Sequence, residues 1–101
     1  TLPARRRRGL ARMALAAIYT TLGAGDRVIA LTEPLAAAWM RHHGETSHEH
    51  AHLLYLQGTA YTRLGRLDEA EATLARAKPI VDALYAPEEF ERIFFANYVQ
   101  I

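Results

Sequence analysis

The stretch LYLQGTAYTRLGRLDEAEATLARA, Leu54 to Ala77, decides how this chain is read. It holds two helical patterns joined by a tight turn. Tyr61 and Leu64 follow Leu54 at seven and ten residues, which keeps all three on one helical stripe. Gly65 can take the left-handed conformation that ends a helix. Asp68 suits a cap or a first turn, and Glu69 suits the positive end of the next helix dipole. Leu74 and Ala77 continue the second helix along its inner face. Helices approach closely only where facing residues are small, so Gly58 is expected opposite Ala70.

The same pattern occurs earlier. Tyr19 lies 42 residues before Tyr61, and YTTLGAGD (Tyr19 to Asp26) matches YTRLGRLD (Tyr61 to Asp68) without a gap. Ala16 falls where Gly58 is, and Val28 falls where Ala70 is. Moving forward 42 residues from Leu54 reaches Ala96, inside FERIFFANYVQI, a third first-helix with no second helix after it. The chain is therefore expected to be all-α, with five helices in about two and a half repeats: 1–44, 45–86 and an incomplete 87–101. A single hairpin cannot bury its own apolar face, so it needs neighbours. Because the chain starts at Thr1 and holds fewer than the three repeats a stable stack requires, it reads as a fragment of a longer array.

Gly58, Ala60, Tyr61, Gly65 and Ala70, in this order, resemble the tetratricopeptide repeat, whose usual period is about 34 residues. The longer period of 42 is similar to kinesin light-chain repeats and to repeats of bacterial signalling regulators. The resemblance implies a right-handed α-α superhelix that binds a protein or peptide on its concave face, as a scaffold module. An alternative is an effector-sensing regulatory domain of a bacterial transcription regulator or signalling ATPase. The first helices of such repeats line the concave face. In this chain that phase nominates Leu10, Met13, Ala17, Thr20 and Thr21, then His52, Tyr55, Thr59, Thr62 and Arg63, then Phe94, Asn97 and Ile101. Asn97 matches an asparagine that holds a peptide backbone in kinesin light-chain-like repeats; Met13 and Tyr55 stand at its counterparts. The lysine and asparagine set that clamps a C-terminal carboxylate is absent.

Along the chain, Pro3 suits a first helical turn. The helix behind it should run to about Leu22 and bury Leu15, Ile18, Tyr19 and Leu22. The second helix should run from about Asp26 to His42, with Pro34 bending it. Thr46 and Glu49 are spaced as a capping box for the third helix, which should end at Leu64. The fourth should span about Asp68 to Leu84, and a fifth should start at Pro87.

The chain has 101 residues, half of them hydrophobic, and a net charge of +1. Arginine outnumbers lysine eleven to one, and with abundant alanine this suggests a GC-rich genome. The absence of cysteine excludes a disulfide framework and thiolate chemistry and fits a cytoplasmic protein. No apolar run approaches the roughly 20 residues that span a bilayer. The first dozen residues are basic and residues 82–91 are acidic.

Two motifs carry possible chemistry. His48-Glu49-His50-Ala51-His52 satisfies H-E-x-x-H, in which two histidines bind zinc and the glutamate activates water. Glu71 is the available third ligand for such a hydrolase. Against this, the motif opens a repeat helix and Glu49 has a capping role, so no catalytic site and no cofactor are expected. His48 and His52 remain weak metal candidates, with His42, His43 and His50 nearby. Arg5 to Arg8, with Arg12, form a basic turn. Four consecutive helical residues point four ways and no aromatic residue is interleaved, so nucleic-acid binding is not expected. Trp39 reads as core. The open end beyond the fourth helix, with Phe94, Phe95, Tyr98 and Ile101, is expected to favour end-to-end self-association.

Overall fold

The computed structural model describes the backbone of residues 4–84 and the side chains of residues 8–84 other than Leu10. Four α-helices lie in that span: α1 (Ala4–Thr21), α2 (Gly25–His43), α3 (His48–Arg63) and α4 (Leu67–Leu84). There is no strand among the described residues, and the protein is all-α there. The expected fifth helix and incomplete third repeat, 87–101, lie outside the described residues.

The two hairpins close in the same way. Gly23 and Gly65 have φ angles of 75° and 77°. A glycine in that region reverses the chain and turns the next N–H groups back onto the helix just ended. Ala24 N–H donates to Tyr19 O at 2.9 Å, and Arg66 N–H donates to Tyr61 O at 2.9 Å. Gly23 N–H donates to Thr20 O and Gly65 N–H to Thr62 O, both at 3.1 Å. The Thr20 and Thr62 hydroxyls each donate one turn back, to Ala16 O and Gly58 O. The repeated Tyr-Thr-x-Leu-Gly residues thus carry a repeated structure.

The third helix starts one residue later than a Thr46 cap requires. Ser47 is the cap, and its Oγ accepts the His50 N–H at 3.1 Å. His50, not Glu49, then holds the third helical position, so no capping box forms. Glu49 instead serves the α2–α3 corner. Its carbonyl accepts the Trp39 indole N–H at 2.9 Å, and its carboxylate lies 3.6 Å from His43 Nδ1. Trp39 is buried, and its ring lies 4.2 Å from the His43 ring. Pro34 and Pro79 sit exposed within α2 and α4, which continue past them.

The core is built around α3, which packs against α4, α2 and α1. Leu53, Leu56, Ala60 and Tyr61 join Val28, Ile29 and Leu35 of α2 and Met13 and Ala16 of α1 in one cluster. Ala51 and Leu54 join Ala77, Ile80 and Val81 of α4 in a second. Gln57 is buried between the layers. Its Nε2 donates to Thr32 Oγ1 at 3.2 Å, and that hydroxyl donates to Val28 O at 2.8 Å, so the amide enters the core with a partner.

Two packing expectations are corrected. The close approach of α3 and α4 is set by Gly58 against Leu74, not against Ala70. A Cβ on Gly58 would lie 2.5 Å from Leu74 Cδ2, while Ala70 belongs to the cluster around Tyr61. The inward face of α1 is also different. Met13, Ala16 and Thr20 are buried, whereas Leu15, Ile18 and Leu22 are 39%, 55% and 71% exposed. Tyr19 is half-buried against the core. An alanine-rich helix offers two apolar stripes, and the neighbours of α1 select the less bulky one.

Candidate binding face

The buried residues of α3 cover most of its circumference. Beyond the first turn, where His48 is exposed and Glu49 half-buried, the residues left over are His52, Tyr55, Thr59 and Thr62, spaced three and four residues apart on one side of the helix, with Arg63 beside Thr62. These are the five positions nominated in the second repeat. The structure grades them. Thr62 and Arg63 are exposed, Thr59 and Tyr55 are half-buried, and His52 is mostly covered.

Each has a definite setting. Burial first, then the neighbouring His48, lowers the His52 pKa to about 4, so its imidazole is neutral at pH 7. Tyr55 packs against the Ala51, Leu54, Ala77, Ile80 and Val81 cluster. Its phenol pKa is raised, mainly by burial and then by Asp82, with Lys78 opposing. The Thr62 hydroxyl donates to Gly58 O at 2.9 Å, which leaves its lone pairs as an outward acceptor. The Arg63 Nη1 lies 3.2 Å from the point where a Cβ on Gly23 would be, so the guanidinium reaches across to the α1–α2 turn. The counterparts of Thr59 and Arg63 on α1 are Ala17 and Thr21, both half-buried. The Thr21 hydroxyl donates to Ala17 O at 3.1 Å.

Two of the other nominated positions do not lie on this face. Met13 and Thr20 are core residues and are removed from the face, because the inward stripe of α1 runs through them. The Leu10 side chain, and Phe94, Asn97 and Ile101, lie outside the described residues. Residues 85–101 also include the apolar end expected to self-associate and the acidic turn Glu88, Glu89 and Glu91; these too lie outside the described residues.

The H-E-x-x-H histidines are neighbours, with His48 and His52 ring centroids 6.3 Å apart. Among the described residues no group of three histidine, cysteine, aspartate or glutamate side chains is placed to hold a metal ion. His50 Nδ1 is 2.6 Å from Glu45 O, and Glu71 is exposed on α4. The arrangement provides hydrogen-bond donors, acceptors and one cation on a helical surface. No helix among the described residues is long and apolar enough to cross a membrane.

One surface was missed in the sequence, the exposed Leu15, Ile18 and Leu22 side of α1. The repeat itself held the signal: these residues align with Gln57, Ala60 and Leu64, which α3 turns towards α2. Compared with protein-family models, with curated proteins and with solved structures, the chain gives no match.

Proposed function

We propose that the chain is a tetratricopeptide-like interaction module that binds an extended peptide or protein segment across its first helices. The single observation that carries this reading is the partly uncovered stripe of α3 that ends in exposed Thr62 and Arg63, while from His50 to Tyr61 the opposite sides of the helix are core. A helix enclosed on its other sides is a rigid platform, so its backbone loses little freedom on binding. Arg63 presents donors suited to peptide carbonyls and acidic side chains, and the Thr62 and Thr21 hydroxyls, whose hydrogens are donated to Gly58 O and Ala17 O, present acceptors suited to peptide N–H groups. The 42-residue repeat of the turn is what supports a superhelical stack in a longer array.

Arginine side chains often dominate interfaces, so Arg63→Ala should weaken partner capture by about 2 kcal/mol, roughly thirtyfold. The control is Arg76→Ala, an exposed arginine of α4. Pull-downs from source-cell lysate, followed by titration of the captured protein, make the test. Tyr55 is a poorer probe because it also packs on α4. Equal capture by wild type and Arg63→Ala, with helicity unchanged, would move the binding surface elsewhere.

A further inference from the structure

All five histidines of the chain fall between residues 42 and 52, around the corner that joins the two hairpins. His43 has a setting of its own there. It is the last residue of α2, and its side chain is 7% exposed. Its ring lies 4.2 Å from the ring of the buried Trp39. Its Nδ1 lies 3.6 Å from a carboxylate oxygen of Glu49, in the first turn of α3. The Glu49 carbonyl accepts the Trp39 indole N–H at 2.9 Å. One residue of α3 thus engages both rings at the end of α2.

These contacts favour a charged imidazole over a neutral one. A carboxylate so close attracts the proton. An indole face attracts a cation. A cation at the C-terminal end of α2 and an anion in the first turn of α3 each meet the favourable end of a helix dipole. Two features oppose them. Low exposure disfavours the charge, and the His42 ring stands edge-on at 5.0 Å and repels it when protonated. The other described charges of the packed elements are Arg41 of α2, Glu45 of the loop, His48 of α3, and Arg8 and Arg12 of α1, all exposed. His50 is buried, with Nδ1 at 2.6 Å from Glu45 O. Val81 and Tyr85 stand 42 residues after Trp39 and His43, so the constellation belongs to this corner and not to the repeat pattern.

We propose that the α2–α3 corner is a proton-operated clamp, in which an imidazolium at His43 pairs with Glu49 against Trp39 and ties the end of one hairpin to the start of the next. The clamp works in the ordinary histidine range, about pH 5–8. Its hold is present on the acid side and is lost as the pH rises and His43 becomes neutral. His52 acts in the opposite sense, because burial and His48 both resist its proton. The clamp sits at the other end of α3 from Arg63, so it stands whether or not that face binds a peptide.

Trp39 is the only tryptophan, so its fluorescence reports on this corner alone. An imidazolium against an indole quenches its emission far more than a neutral imidazole does. Acidification from about pH 8 to 5 should therefore dim Trp39 in one step. His43→Gln should abolish the step and His42→Gln should keep it. Glu49→Gln retains the carbonyl that holds the indole and should move the step to lower pH; it decides the matter alone where His43→Gln does not fold. Urea unfolding of His43→Gln, Glu49→Gln and the double variant measures the hold itself. Their coupling should favour folding by about fivefold at the acid end, the scale of a partly exposed ion pair, and should vanish at the alkaline end. A step that survives His43→Gln, a step lost in His42→Gln or unmoved by Glu49→Gln, or a coupling equal at both ends of the range would each overturn the proposal.

Discussion

The two hairpins share a turn but not an environment. Gly23 and Gly65 close them with matching φ angles and matching backbone hydrogen bonds. Yet Leu56 is fully buried while its counterpart Ala14 is exposed, and Thr20 is buried while its counterpart Thr62 is exposed. Local sequence sets the hairpin, because capping and left-handed glycine act within a few residues. The choice of buried face is made by neighbouring helices, and α3 has them on more sides than α1. The face that one hairpin turns to solvent is therefore informative about what the other has already covered.

The sharpest way to break this comparison is to truncate a leucine on each side of it. Leu53→Ala should cost about 2–5 kcal/mol, the range for a buried leucine that leaves a cavity. Leu15→Ala, on the exposed stripe, should change stability by no more than about 0.5 kcal/mol. Urea unfolding of both variants measures the difference. Comparable losses would mean that α1 is buried on the side described as open.

A pH titration separates the hairpins again, since His52 has a leucine, Leu10, at its repeat counterpart. The folded-state pKa of His52, about 4, lies below the ordinary 6.5. The folded form therefore resists a proton that the unfolded chain accepts. His52 costs no stability above pH 6.5, and stability falls as the pH drops from 6.5 towards 4, by up to about 3 kcal/mol. His52→Gln should flatten that part of the curve relative to wild type. Parallel curves for the two proteins would reject the burial of His52.

Next in size is the small residue at each crossing. Gly58→Leu should cost roughly 1–3 kcal/mol by overpacking against Leu74. Its thermal midpoint, compared with wild type, gives the answer, and an unchanged midpoint would contradict the close approach of α3 and α4. The smallest effect concerns the corner between the hairpins. Ser47→Ala should remove about 1 kcal/mol, a typical cap contribution, while Thr46→Ala should be nearly silent. The reverse order would restore the capping box at Thr46.

The helix pairs and their turns were legible because they depend on local rules and on one aligned repeat; of the stripe from His52 to Arg63, the exposure of Thr62 and Arg63 was legible, whereas His52 is mostly covered and Tyr55 packs against the α4 cluster. The phase of α1 was not. Leu15, Ile18 and Leu22 form the larger apolar stripe, so hydrophobicity alone favours burying them. Met13, Ala16 and Thr20 are buried instead: Met13 and Ala16 enter the core cluster, and the Thr20 hydroxyl is satisfied by Ala16 O. The same ambiguity placed Met13 and Thr20 on the binding face. The capping box failed by one residue, since Thr46 and Ser47 are both good caps and only the corner formed by Trp39, His43 and Glu49 chooses between them. Pairing a buried Gln57 with Thr32 across 25 residues needed the fold itself.

Amide hydrogen exchange at repeat-related pairs tests the central claim most directly. In this fold α3 is the enclosed helix and α1 its open equivalent. Leu56 and Ala60 amides should exchange only with global unfolding, and Ala14 and Ile18 amides should exchange at least about tenfold faster through local opening. Protection of Ala14 and Ile18 equal to or greater than that of Leu56 and Ala60 would contradict it.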